Sequence, residues 1–377
     1  MISKEKRAGR AFNRMKDLEL YIHIPFCVKK CNYCDFLSAP AGEQERQSYV
    51  ESLCGRIRAY AESIRAYRVI SIFVGGGTPS ILESGQIERI FGAVYDTFRV
   101  DADAEITMEM NPGTVTKEKL LVYRRLGVNR LSIGLQSAEH EELKKLGRIH
   151  TYGDFLASYQ TARQAGFQNI NIDLMSGIPC QTLESYERSL KLIAELEPEH
   201  ISAYSLIIEE GTPFYERYRK GKHVDELPDE DTEREMYVCT KEILESYGYH
   251  RYEISNYAEP GFECRHNLGY WNRTEYLGIG TGASSFMNHQ RWKEGEEPVT
   301  LTRQEEIEEF MFLGLRKMEG VSRADFHRIF GEEMESVYKN VIAKMKKQSL
   351  LDEKKNRLFL TERGIDVSNY VMSEFLF

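Results

Sequence analysis

Three cysteines, Cys27, Cys31 and Cys34, crowd into the run CVKKCNYC. Thiols so closely spaced share one short loop and point to a metal. The chain's total of seven cysteines, an odd number, speaks against a disulfide framework. Cys54, Cys180, Cys239 and Cys264 are scattered. Structural zinc takes four ligands, commonly as two separated pairs, and no second pair is present. A [4Fe–4S] cluster offers four irons, so three local thiolates leave one iron open to a substrate or cofactor.

The other residues with chemical promise follow strands. Short runs rich in β-branched residues (LELYIHIP, VISIFVGGG, EITMEMN, RLSIGLQ, NINIDLMSGIP and HISAYSLII) alternate with helical periodicity over residues 43–65, 85–98, 117–125, 154–165 and 183–196. Repeated βα units mean a parallel sheet. Their crossovers are right-handed, so six units predict an incomplete barrel, two short of the complete eightfold one. The cysteine loop, GGGTP, Glu109 with Asn111 and Pro112, Gln136 with Ser137, and SGIP each fall at a strand's carboxyl end. Ligands collect at those ends, so one shared site is expected there. Gly75, Gly76 and Gly77 carry no Cβ, which lets backbone approach a ligand and donate N–H groups to a carboxylate.

The rhythm breaks near residue 209. A helix over 230–247 precedes a loop-rich stretch, and the last part reads as short helices, a hairpin in LLDEKKNRLFLT and a closing helix over 364–375. The expected divisions are a basic tail over 1–17, a barrel over 18–230, an extension over 231–300 and a winged-helix-like module over 301–377. The net charge of −9 argues against nucleic acid as a partner, since phosphate backbones need a basic surface. The basic N-terminus has no apolar core of the kind a secretory signal carries, and no run reaches the roughly 18 apolar residues of a membrane span. A soluble, cytoplasmic protein is expected.

CVKKCNYC resembles the CxxxCxxC signature of the radical S-adenosylmethionine (SAM) superfamily. The resemblance implies that SAM chelates the open iron. One electron from the reduced cluster then breaks a carbon–sulfur bond and yields a 5′-deoxyadenosyl radical that abstracts a hydrogen atom. The wider runs YIHIPFCVKKCNYCDF, GGGTPS, EMNPGT, RLSIGLQS, LGRIH and NIDLMSGIP are similar to oxygen-independent coproporphyrinogen III dehydrogenases and their haem-chaperone relatives. This likeness runs from about residue 19 to the C-terminus. It implies a partial (β/α)6 radical SAM barrel, within the α/β class, followed by a small winged-helix-like domain. It also implies SAM contacts at Tyr21, Tyr33, Gly76, Gly77, Thr78 and Glu109, with Glu109 on the ribose hydroxyls. Gln136, Arg148 and Asp173 match residues that hold a second SAM in the dehydrogenases.

Details separate the two branches. The dehydrogenase pattern has a fourth cysteine where this chain has Phe36, and a longer arm before the cysteines than the 26 residues here. His266-Asn267-Leu268-Gly269-Tyr270-Trp271 resembles the HNxxYW motif of the chaperone branch. Neutral imidazole is a common haem ligand, so His266 is the expected axial ligand, with Cys264 as the alternative and Tyr270 and Trp271 as an aromatic wall. The resemblance thus implies a haem chaperone with a [4Fe–4S] cluster and SAM, haem as cargo, haem-accepting proteins and a flavodoxin- or ferredoxin-like electron donor as partners, and a homodimer. The dehydrogenase is the alternative. A radical SAM methyltransferase, a haem-degrading enzyme and a haem-binding module with a purely structural cluster are more distant ones.

Overall fold

The computed structural model describes residues 15–377, so most of the expected basic tail lies outside the described residues. Six strands, β1 (Lys16–Ile24), β2 (Tyr67–Gly76), β3 (Val100–Met110), β4 (Arg130–Gln136), β5 (Ile170–Ser176) and β6 (His200–Ser205), lie side by side in chain order, all parallel. The connections carry α1 (Glu43–Ala59), α2 (Ser84–Thr97), α3 (Lys117–Arg125), α4 (His140–Leu146), α5 (Tyr152–Gln164) and α6 (Leu183–Ala194). Right-handed crossovers between strands in unbroken order keep the helices on one face and curl the sheet around the other. Thr151 and Thr182 start α5 and α6 with reciprocal capping boxes, local signals that the sequence carries openly.

Strand alternation sorts the side chains. Leu18, Leu20, Ile22 and Ile24 of β1 turn to the helices and are fully buried, while Glu19, Tyr21 and His23 turn inward. The inner face is polar, so its buried groups must find partners. The Asn171 amide donates to Ser132 Oγ at 2.7 Å, its oxygen meets His200 Nδ1 at 2.6 Å, and His200 Nε2 meets the Tyr252 hydroxyl at 2.8 Å.

The next segment holds α7 (Pro213–Tyr218), α8 (Glu230–Ser246), β7 (His250–Arg251), β8 (Asn256–Ala258), α9 (Arg265–Trp271), β9 (Tyr276–Ile279), β10 (Ser284–Met287), β11 (Gln290–Lys293) and β12 (Val299–Thr300). β8 and β7 extend the sheet beyond β6, and β9 pairs parallel with β1, followed by β10, β11 and β12. The expected loop-rich stretch therefore contributes strands to both flanks of the barrel. It also contributes a helix at the HNxxYW motif: α9 closes the barrel floor. Its first residues lack a capping side chain of their own, and the cap comes from β3, where the Glu105 carboxylate accepts the Arg265 and His266 N–H groups at 3.1 Å each. α4 and α7 are further helices that the periodicity did not announce.

The chain ends in α10 (Arg303–Gly314), β13 (Val321–Ser322), α11 (Arg323–Phe330), α12 (Met334–Lys347), β14 (Leu351–Lys354), β15 (Arg357–Leu360), α13 (Glu362–Asp366) and α14 (Ser368–Ser373). β13, β15 and β14 form a small antiparallel sheet over a separate core that includes Met311, Phe326, Met345 and Phe375. The expected closing helix is broken at Val367, whose φ of −120° and ψ of 34° are not helical. No helix among the described residues is long and apolar enough to cross a membrane.

Gly269 sets how deeply α9 sits. A Cβ at this position would strike the Glu19 carboxyl directly. Within a helix Ala is normally favoured over Gly by about 1 kcal/mol, but here overpacking against a buried carboxyl outweighs that preference. Gly269→Ala should lower unfolding stability by about 1–3 kcal/mol in urea titrations; equal or greater stability would show that α9 does not rest on Glu19.

Candidate functional site

At the carboxyl ends of the parallel strands lies a cavity of about 450 Å³. The loop after β1 forms one side of it. That loop is closed by its own backbone, with Cys27 N–H donating to Ala39 O at 3.1 Å and Ala39 N–H to Pro25 O at 3.0 Å. Asn32 pins it to α4, its backbone N–H donating to Leu146 O and its amide to Lys145 O, both at 2.9 Å. Phe214 N–H of α7 donates to Asn32 O at 3.0 Å. Cys27, Cys31 and Cys34 all face the cavity as free thiols. Thr78 Oγ1 donates to Cys27 Sγ at 3.5 Å, and Arg148 Nη1 to Cys31 Sγ at 3.6 Å. Burial pushes the Cys34 thiol up, which metal ligation must offset.

Among the described residues, no three His, Cys, Asp or Glu groups gather tightly enough for a single ion. A four-iron cluster needs no such gathering, because each thiolate takes a different iron. The donor set therefore fits a cluster better than zinc.

Tyr33, Gly76, Gly77, Thr78, Glu109, Gln136, Arg148 and Asp173 line the same cavity. The glycine run does more than open the backbone to a ligand. A Cβ on Gly77 would come within 2.6 Å of Phe26 O, and one on Gly76 within 2.5 Å of the His23 ring. Their smallness lets the cysteine loop close against the end of β2. Gly76 N–H donates to Glu109 Oε2 at 3.0 Å. Burial, and secondly the Asp173 carboxylate, push Glu109 up to about 8 against that donation. Burial likewise raises Asp173 and Tyr33.

Arg148 crosses the cavity, donating through Nη2 to Asn111 Oδ1 at 2.7 Å and to the Gly134 carbonyl. Asn111 in turn donates to Thr78 Oγ1 at 2.8 Å, and Tyr204 donates to Gln136 Oε1 at 2.8 Å. The sequence named Asn111 only as part of a strand-end signature, with no role of its own, and did not single out Tyr204. Asn111 had a signal in its place at a strand end beside Glu109, and Tyr204 in the inward phase of β6. Gln136 holds a φ of 78°, a left-handed backbone at the β4 end where pairing with β5 slips by one residue.

Two expected residues lie elsewhere. Tyr21 turns into a second cavity of about 740 Å³ between β1, α9, β9, β10, β11 and α10, where its hydroxyl meets His23 Nδ1 at 3.0 Å. His266 does not offer a free imidazole. It is 1% exposed, its Nδ1 meets Ser71 Oγ at 2.8 Å and its Nε2 meets the Tyr270 hydroxyl at 2.9 Å. Burial, then the Arg130 charge, lower its pKa to about 3, so it stays neutral. Cys264 is fully buried against Glu105. Asp35 and Phe36, just after the cysteines, line both cavities.

Models of known families match two parts of this chain: the radical SAM superfamily over residues 21–193 and the HemN C-terminal domain over residues 301–367. The protein named heme chaperone HemW in Lactococcus lactis is 37% identical, over 94% of this chain and 96% of its own length. Its namesake in Bacillus subtilis is 36% identical over 94% and 98%. That of Escherichia coli is 42% identical over 72% of this chain and 70% of its own. The solved structure of coproporphyrinogen III oxidase (HemN) from Escherichia coli, described as a radical SAM enzyme, shares the fold, with a TM-score of 0.84 at 24% identity over 96% of this chain and 90% of that one.

The floor beneath the cavity carries a test of these electrostatics. Glu19 is pushed up to about 9 by burial, against the hydrogen bond from Ser71, with Glu105 adding to the rise. The folded protein holds this proton where the unfolded chain, with a carboxyl near ~4.3, has lost it. Stability should therefore fall as pH rises from about 4.5 to 9. Relative to wild type, Glu19→Gln should gain about 2–4 kcal/mol in urea unfolding at pH 9 compared with pH 5. A pH-independent difference would mean that Glu19 is ionised in the folded state.

Proposed function

This chain belongs to the radical SAM superfamily, in the HemW family, and from that premise we propose that it binds haem and delivers it to haem-accepting proteins. In this reading Cys27, Cys31 and Cys34 hold a [4Fe–4S] cluster, and SAM lies against Gly76, Gly77, Thr78 and Glu109, with Gln136, Arg148 and Asp173 farther round the same cavity. The observation that carries the reading is this convergence of family-matched residues on one cavity in a chain that aligns over 94% of its length with HemW proteins. When bound, the cluster and SAM supply one-electron chemistry.

The chain's own residues do the rest. The Glu109 carboxyl is an acceptor for sugar hydroxyls, positioned by the Gly76 N–H. Arg148 places a cation beside Cys31 and offsets the negative charge that thiolates and cluster gather there. Asn32 and the Cys27–Ala39 backbone bond hold the loop in register. The position of the dehydrogenases' fourth cysteine is filled by Phe36, 63% exposed, which brings no thiol to the site. A flavodoxin- or ferredoxin-like donor would reduce the cluster, and a homodimer would be the assembled form.

The deciding experiment supplies cluster-reconstituted protein with SAM, reductant and haem under anaerobic conditions, then adds an apo-haemoprotein. Haem transfer without conversion of coproporphyrinogen III is expected. Formation of protoporphyrinogen IX from that substrate would make the protein a dehydrogenase instead.

His266 enters as a positioning residue, through Tyr270, rather than as an iron ligand. His266→Ala should weaken haem binding about three- to tenfold, the loss of one hydrogen-bonded support, while leaving the Soret band of the bound haem unmoved. A shifted band would restore His266 as an axial ligand.

A further inference from the structure

None of the three clustered cysteines, nor Gly76, Gly77, Thr78 or Glu109, lines the second cavity, yet it has the make-up of a ligand site. Its volume of about 740 Å³ falls in the roughly 300–1,000 Å³ range of sites that enclose sizeable small molecules. One wall is aromatic. The Tyr270 and Tyr276 rings meet edge to face at 4.7 Å, and Phe286 follows at 6.2 Å. Flat apolar surface is what such a wall receives best.

The opposite chemistry stands beside it. Arg273 and Arg291 flank the Phe286 ring at 5.0 and 5.6 Å, and both reach one carboxylate, Glu309 of α10, at 3.2 and 2.9 Å. Glu306 lies 3.8 Å from Arg273 Nη2, an ion-pair distance without a hydrogen bond. The Arg273 side chain is 10% exposed and that of Arg291 39%, and both line the cavity. Lys293 adds a further cation to the rim, and Asp35 is the sole carboxylate among the lining residues. The three cations that line the cavity are balanced by Asp35 and by Glu306 and Glu309 behind the arginines, so an anion bound here competes with those carboxylates.

We propose that this second cavity is the haem seat, with the macrocycle against the Tyr270–Tyr276–Phe286 wall and its two propionates held by Arg273, Arg291 and Lys293. The inference rests on the haem-carrier reading above and gives it a place. The cavity's imidazole, His23, is tied at both nitrogens, to the Tyr21 hydroxyl at 3.0 Å and the Leu37 carbonyl at 2.9 Å. The ring wall and the carboxylate contacts therefore supply the hold.

The test titrates the full-length protein with haem and with haem dimethyl ester, whose propionates carry no charge. Wild type should bind the ester about ten- to a hundredfold more weakly than haem, the worth of one or two charge-assisted hydrogen bonds. Lys293→Glu combined with Arg291→Gln should weaken haem about as much and narrow the gap between the two ligands. Ser284→Trp, which adds bulk to the cavity and removes no charge, should weaken both alike by about tenfold or more. Circular dichroism and cluster content check that each variant folds. Tight haem binding that is indifferent to esterification and to all these variants would move the seat elsewhere and leave the carrier reading intact. Wild-type protein that binds no haem would remove the carrier reading and this site with it.

Discussion

One carboxylate on β3 holds the molecule's two halves of chemistry in register. Glu105 points into the barrel, where it accepts the first two N–H groups of α9 and lies against Cys264. A helix of seven residues has little stability of its own, so its existence depends on this distant cap and on the surfaces it buries. Once seated, α9 closes the barrel floor with His266 and carries Tyr270 and Trp271 into the second cavity. The floor of one site and the wall of the other are thus one short element.

The cysteine loop makes the complementary connection above. It has no regular structure, and its shape comes from Asn32 reaching α4, from α7 reaching back to Asn32, and from glycines small enough to let it close on β2. Asp35 and Phe36 leave the cluster side and enter the lining of both cavities. The cysteine loop and the second cavity's lining are therefore joined by consecutive residues, with no long-range connection between them.

These arrangements explain what the sequence disclosed. The six parallel strands were legible because β-branched runs with buried, alternating phases announce themselves, and the first cavity was legible because its residues sit at strand ends. The cysteine spacing was legible for a still simpler reason, since the loop is local. α9 was not, because its cap lies about 160 residues away in the chain, on β3. Reading His266 in a loop made it seem available; in the helix its ring is sandwiched between Ser71 and Tyr270 and stacks on Phe73 at 5.2 Å. Tyr21 lines the second cavity and not the first, a placement hidden in the sequence because alternation tells which face of a strand a side chain takes, but not where along the barrel one chamber gives way to the next. The second cavity stayed hidden because strands of two to four residues carry no usable period, and its cations come from β11 and the turn after α9.

A protein that passes its cargo on must bind it without trapping it, and the two kinds of contact available differ in how readily they let go. A buried iron–imidazole bond would have to be broken before transfer. Contacts between propionates and a cationic rim are exchangeable, because water or an acceptor's own cations can replace them group by group. In the proposed haem seat the contacts would be of this exchangeable kind, and the propionates would compete with Glu309 for Arg273 and Arg291. That internal counter-charge keeps the site stable without a ligand, since two guanidiniums beside Phe286 with no anion near them would repel. The carboxylate that weakens the hold on a ligand is therefore the same one that lets the site exist before the ligand arrives.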